Sequence, residues 1–351
     1  MSAADTDDRP PPEPFETAVL FGHAGPEGAL LDGYRSGRQH HAIMLSGPRG
    51  VGKATLAYRF ARFILANPDP RSEAVRAAGD LAVAEDARPA RLIRRRAHPD
   101  LTVLWPYMFK EENKSGEIKV AHVRWVLDRI ATTTDGGGWR VSIVDRADDL
   151  NLAAANALLK VLEEPPPRTV FLLVAERPGR QLATIRSRAV RLDLAPLGDA
   201  DMRAAIAAAV PKLASDDGID AIIGLAGGAP GMAISLARTG GLAVHQSLAE
   251  LVGTLPSIDA ERLHAVAYQL SPARADDRFR LFMDMTLAWL ADLVRKRAAD
   301  APAAALEPLV ELWDNVARAY DDTLALNLDR KQLILNTFFG LAGAARRAAP
   351  R

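Results

Sequence analysis

The sequence predicts an α/β module built on a parallel sheet, followed by an all-helical C-terminal part. Three observations carry this. Short apolar runs of strand length alternate with amphipathic stretches as far as Leu194. Strand-like runs stop after Pro196, and from about residue 241 the apolar residues recur only at helical spacing. Strands alternating with helices imply a parallel sheet covered on both faces. A chain of 351 residues has room for two or three domains at roughly 150 residues each.

Residues 1–14 are acidic and then proline-rich, and read as a disordered lead-in without the apolar core of a signal peptide. Ordered structure is expected from Phe15. Gly25–Gly37 reads as a helix with Leu30, Leu31 and Tyr34 on one face. His41–Ser46 is a buried strand, and Ala54–Leu65 a helix turning Leu56, Phe60, Phe63 and Ile64 inward. Residues 66–99 have no sustained period and read as an insertion with some helix, its Arg94-Arg95-Arg96 run first of all a solvated surface. Leu101–Trp105 is a strand, followed by a charged turn to Gly116. Val120–Thr132 is an amphipathic helix ended by Gly136-Gly137-Gly138, and Trp139–Val144 the next strand. Leu152–Leu162 is a helix stopped by Pro165-Pro166-Pro167, and Val170–Val174 and Val190–Leu194 are strands. Residues 198–238 read as small helices around Gly227-Gly228 and Pro230-Gly231. Three later stripes read as bundle core: Phe279, Phe282, Met283, Leu287, Leu290 and Val294; Leu306, Leu309, Val310, Trp313, Val316 and Tyr320; Leu328, Leu335, Phe338 and Phe339. One of them could instead face a neighbouring subunit.

Composition excludes several classes. Forty-four basic residues balance forty-four acidic ones, against a strongly basic free-standing nucleic-acid binder. No cysteine is present, so thiol nucleophiles, disulfides and cysteine-ligated zinc are ruled out, in keeping with a reducing cytoplasm. No apolar run approaches the roughly 18 residues that span a bilayer.

The chemistry-bearing motif is Gly47-x-x-Gly50-x-Gly52-Lys53, between a strand and a helix. The glycines let backbone N–H groups turn toward phosphate oxygens, the lysine brings charge to the outer phosphates, and the helix N-terminus adds its dipole. The motif ordinarily continues with a hydroxyl that holds Mg²⁺, whereas this chain has Ala54. Thr55 lies about 100° further round the helix and is no simple substitute. Val141–Asp145 is an apolar strand ending in a carboxylate placed to approach the same phosphates, although Asp145 equally suits an ordinary strand end. The next residue, where an ATPase of this type has an acid to orient water, is Arg146, which cannot accept a proton.

With these motifs, the stretch Asn151–Pro166 ending in Glu163-Glu164-Pro165-Pro166 and the stretch Leu182–Arg188 ending in Ser187-Arg188 resemble the AAA+ subunits of the bacterial clamp loader, and among them the delta-prime type of DNA polymerase III. The resemblance is strongest from Phe21 to Leu194. It implies an AAA+ P-loop domain over 15–196, a helical lid over 197–240 and a helical collar over 241–351 that joins five subunits in a ring. It also implies that Arg188 reaches the ATP site of the adjacent subunit, although the family's following cysteine is Ala189 here. A lid arginine of hydrolysing relatives aligns with Gly231. The family's four-cysteine zinc module falls on 66–99, so no zinc is expected.

The resulting expectation is a non-hydrolysing clamp-loader subunit, active in ATP-dependent loading of the sliding clamp onto primed DNA. Arg188 is its contribution in trans to a neighbour's catalysis. ATP or ADP would lie on Gly47, Gly50, Gly52, Lys53, Thr55 and Asp145 in a degenerate P-loop, with no resident metal. The partners are the other clamp-loader subunits in a hetero-pentamer and, through the complex, the clamp and primer–template DNA, with no membrane. Two alternatives stand beside it: an ATP-hydrolysing AAA+ motor rescued by Thr55 and another acid, and a DNA-binding adaptor using Arg94–Arg96.

Overall fold

The computed structural model describes residues 10–105, 117–131, 138–176, 183–298 and 303–347. The expected lead-in before Pro10, the charged turn up to Gly116, the glycines at 136 and 137 and Leu182 lie outside them. The chain divides into two compact units, Met1–Ile234 and Ser235–Arg351.

The first unit opens with α1 (Ala24–Arg35), whose Leu30, Leu31 and Tyr34 are buried as their spacing predicts. Next come β1 (Ala42–Ser46), α2 (Lys53–Ala66), α3 (Glu73–Ala77), α4 (Arg88–Arg94) and β2 (Leu101–Leu104). They are followed by α5 (Val120–Ala131), β3 (Arg140–Val144), α6 (Leu152–Glu163), β4 (Thr169–Ala175), α7 (Ala183–Arg186) and β5 (Val190–Asp193). The five strands form one sheet in the order β2-β3-β4-β1-β5, every neighbouring pair parallel, with Met44 opposite Leu173 and Ile143 opposite Leu172. All seven residues of β4 are buried, because a central parallel strand is covered on both faces. Met44, Phe171, Leu173 and Val144 pack on α5 and α6 through Val126, Ile130, Leu158 and Leu162. α2 lies against β1, β3 and β4 and fully buries Leu56, Phe60 and Ile64. Each such side chain is worth about 1.5–3 kcal/mol of burial.

This order brings the C-terminal ends of β1, β3 and β4 side by side, with the Gly47–Gly52 loop leaving β1 and Asp145 leaving β3. Residues 66–99 are ordered by polar staples more than by a helical stripe. Glu27 Oε1 accepts from Arg59 Nε at 2.6 Å and from the Leu81 N–H at 3.0 Å, while Val75, Leu81 and Ile93 supply isolated apolar anchors. The Arg94–Arg96 run is largely committed. Arg94 pairs with Glu85 at 2.8 Å, and Arg96 stacks on Phe15 and Trp105. After β5 come α8 (Asp199–Ala209), α9 (Pro211–Ala214), α10 (Ile219–Ala226) and α11 (Pro230–Thr239), which runs from the first unit into the second.

The second unit continues with α12 (Gly241–Gly253), α13 (Ala260–Leu270), α14 (Asp276–Ala298), α15 (Ala303–Leu326) and α16 (Arg330–Arg347). Phe279, Phe282, Met283, Leu290, Leu309 and Phe338 form its core with residues of α12 and α13. Three residues predicted for that core are exposed instead: Val310, Leu328 and Phe339, at 45%, 49% and 49%. Val310 and Phe339 directly follow the buried Leu309 and Phe338, and successive helical residues point about 100° apart. Leu328 falls in the turn between α15 and α16.

Candidate functional site

The P-loop adopts the strand–turn–helix geometry that its glycines permit. Gly47 has φ +152°, and a Cβ there would overlap the Leu194 carbonyl oxygen. α2 then starts on Gly52 with no side-chain cap, so its first-turn N–H groups are left to face a ligand. Lys53 is buried, and its Nζ donates to the carbonyls of Gly47 and Pro48, both at 2.7 Å. The buried His23 ring bonds the Val51 carbonyl at 2.9 Å and braces the loop from outside.

The loop is also clasped by α11. The Gly231 N–H donates to the Gly50 carbonyl at 2.9 Å, and a Cβ on Gly231 would lie 2.9 Å from the Gly50 Cα. No larger residue fits at 231 without moving the two backbones apart, so this arrangement has no room for a charged side chain there.

Asp145 stands at the end of β3 facing the lysine's surroundings. Burial pushes its carboxyl above the usual range, with Arg146 and Lys53 pulling the other way. Burial likewise lowers the Lys53 ammonium, opposed by Glu176, Asp148 and Asp145. Arg146 sits in the left-handed region at φ +64°, and its Nε pairs with Asp149 Oδ2 at 2.8 Å. Glu176 directly follows β4, its backbone N–H donating to Asp148 Oδ2 at 2.5 Å. This acid was missed in the sequence, although an acid straight after an apolar strand is the same signal that singled out Asp145.

Gly50, Gly52, Lys53, Thr55 and Asp145 converge on one cavity of about 560 Å³, while Gly47 contributes by holding the lysine. Ala54, Arg146 and Glu176 line the same space. Its other half is apolar, walled by Val19, Leu20, Phe21, Leu197, Ala205 and Ile234. The strap 15–21 that supplies much of that wall is tied to α2: Arg59 donates to the Ala18 carbonyl, and Arg62 to those of Thr17 and Phe15. Such a space has apolar walls for a planar base and a cationic, N–H-rich end for phosphates. Among the described residues no group of three or more His, Asp or Glu is placed to hold a metal ion.

Arg188 lies outside that lining. It follows α7, which is anchored by the buried Ile185. Its Nη2 pairs with Glu163 Oε1 at 2.7 Å, and its Nη1 donates to the Thr184 carbonyl at 3.0 Å and to Ser187 Oγ at 3.3 Å. The side chain is 34% exposed. The sequence therefore yields two separate places, a phosphate pocket and an arginine corner.

Comparison with known proteins gives the following. The family model described as DNA polymerase III, delta subunit, matches residues 28–198. The chain is 32% identical over 257 residues to DNA polymerase III subunit delta' of Escherichia coli, covering 73% of this chain and 72% of that protein. It is 34% identical over 215 residues to the protein of the same name from Pseudomonas aeruginosa, covering 61% and 60%. Over 169 residues it is 32% identical to DNA polymerase III subunit tau of Escherichia coli, covering 48% of this chain and 24% of that one. Among solved structures, the RuvB Holliday junction branch migration motor of Thermotoga maritima aligns over 92% of this chain and 91% of its own, at 17% identity and a TM-score of 0.44.

Proposed function

We propose that this chain, which belongs to the delta' subunit family of DNA polymerase III, works as a clamp-loader subunit that lends catalysis to a neighbour without hydrolysing ATP itself. The observation that carries this reading is the unequal state of the two places. Around the phosphate pocket the magnesium hydroxyl is replaced by Ala54, the acid after Asp145 is Arg146, and position 231 is a glycine pressed on Gly50. Outside the pocket, Arg188 is complete, partly exposed and held in a defined geometry.

In the proposed mechanism the chain sits beside an ATP-hydrolysing subunit, and Arg188 meets the charge that develops on the transferring phosphoryl group. A guanidinium in that role contributes roughly 10³–10⁵ in rate. The chain's own pocket accommodates an adenine nucleotide with the base against Val19, Leu20 and Ile234 and the phosphates at Lys53 and the start of α2. Ala54 leaves it without the hydroxyl that would hold Mg²⁺, so occupancy there is structural. The helices after Pro196 act as the lid and α12–α16 as the collar. The exposed Val310, Leu328 and Phe339 support contact with neighbouring subunits of a hetero-pentamer. The clamp and primed DNA are then met through the complex, in the cytoplasm. No described helix is long and apolar enough to cross a membrane.

The test is purification with the other clamp-loader subunits, together with phosphate release by the chain alone. Co-assembly and no sustained release by the lone chain are expected; steady release by it would overturn the reading. One observation favours the alternative of a working ATPase: Glu176 places an acid in the pocket that holds Lys53 and Thr55. Under that alternative Glu176→Gln abolishes turnover by the isolated chain.

A further inference from the structure

We infer that Glu163 is a positioning residue for Arg188, holding its guanidinium so that one edge is presented to the nucleotide of the adjacent subunit. This rests on the reading of Arg188 as a group acting in trans, and it gives a task to the Glu163-Glu164-Pro165-Pro166 run that the reading so far leaves without one.

Glu163 is the last residue of α6, a position where the helix dipole disfavours a carboxylate. The acid is compensated by Arg188, whose Nη2 lies 2.7 Å from Glu163 Oε1. The platform beneath is fixed. Leu158 and Leu162 are buried, His41 Nε2 bonds the Leu162 carbonyl at 2.8 Å, and Pro165 and Pro166 prevent the helix from continuing. On the arginine's side, Ile185 anchors α7, and the Ser187 and Arg188 N–H groups bond the carbonyls of Ala183 and Ile185 at 3.0 and 3.1 Å. Two rigid ends thus meet in one ion pair.

The donor count gives the pair its direction. A guanidinium has five N–H donors. Glu163 engages Nη2 as an ion pair, and Thr184 O and Ser187 Oγ both accept from Nη1. The Nε–H has no hydrogen-bond partner among the described residues, and Nη2 is engaged only by the Glu163 ion pair. These two groups share an edge of the planar fork, the arrangement that receives two phosphate oxygens at once. Arginine carries considerable rotamer entropy, and fixing its plane beforehand removes part of the cost of ordering it at the transition state. Glu163 is 50% exposed and Arg188 34%, so the pair is screened by water and does not trap the guanidinium. Its influence is geometric.

The experiment uses the reconstituted clamp loader with full-length chains: wild type, Glu163→Ala, Glu163→Gln, Arg188→Ala and the Glu163→Ala/Arg188→Ala double variant. DNA-stimulated ATP hydrolysis is measured as kcat and KM, with complex formation followed by size-exclusion chromatography. Glu163→Ala is expected to lower kcat about tenfold with KM unchanged, a loss within what a misplaced catalytic group costs. Glu163→Gln keeps the acceptor oxygen and recovers most of the rate, which a purely structural defect would not do. In the Arg188→Ala background, Glu163→Ala should change nothing further, because it acts through the arginine. An unchanged or raised kcat for Glu163→Ala, or the same fractional loss in both backgrounds, overturns the positioning role while leaving the arginine reading intact. An Arg188→Ala complex that hydrolyses at the wild-type rate refutes the arginine reading itself.

Discussion

The phosphate pocket and the Arg188 corner belong to the same unit, yet they are in opposite condition. The pocket keeps the parts that bind: Gly47, Gly50, Gly52, the buried Lys53 and the open N-terminus of α2. The positions to which the proposal assigns turnover carry Ala54, Arg146 and Gly231. The corner holds a partly exposed guanidinium between Glu163 and Thr184. On the proposed reading, a group that acts on a neighbour's substrate is under different demands from one that acts on its own, and the contrast between the two places is what that division predicts.

The largest effect expected on this contrast comes from Arg188→Lys. Lysine keeps the charge but loses the planar fork. ATP turnover in the assembled complex should fall at least 10²-fold while the complex still forms, short of the roughly 10³–10⁵ of a lost arginine because the charge is kept. Lys53→Ala is next. Affinity of the isolated chain for labelled ADP should drop at least tenfold, about 1.4 kcal/mol, and its effect on turnover in the complex should be smaller than that of Arg188→Lys by an order of magnitude or more. Equal effects of the two would erase the distinction between pocket and corner. A smaller change is expected from Ala54→Thr, which returns the hydroxyl. Affinity for ATP should become Mg²⁺-dependent by a factor of roughly three to ten, and the parent chain should show no such dependence in the same titration.

The smallest effect concerns the buried acid of the pocket. Burial raises the Asp145 pKa, so the folded state favours the protonated acid. The stability this group contributes is present at low pH and lost as pH rises through its folded value. Asp145→Asn removes the buried charge. Its Tm should exceed that of the parent by a few degrees at about pH 7.5, and the gap should narrow as pH falls toward the ordinary carboxylate range. A lower Tm at neutral pH would mean that the carboxylate is needed for folding.

Much of this was legible in the chain because its signals are local. The strand, glycine turn and lysine of 41–53 are contiguous, and the face of α1 and the run of β4 follow from apolar spacing. The neighbouring residues Leu309 and Val310, or Phe338 and Phe339, show where an apolar stripe overreaches, since two successive helical positions do not face one core. Residues 66–99 carry no period, and Glu27 and Arg59 hold them from elsewhere through the Leu81 N–H and Asp80. The clasp of Gly50 by Gly231, the tie of the 15–21 strap to Arg59 and Arg62, and the pairing of Glu163 with Arg188 all join residues that only the fold brings together. Glu176 is the exception, a local signal passed over.

The central claim is that this chain acts on a neighbour's nucleotide through one arginine. Its most direct test is the rate of DNA-stimulated ATP hydrolysis by the complete clamp loader when this chain alone carries Arg188→Ala. The expected result is an assembled complex slowed by roughly 10³-fold or more; an assembled complex that hydrolyses ATP at the unmodified rate would contradict it.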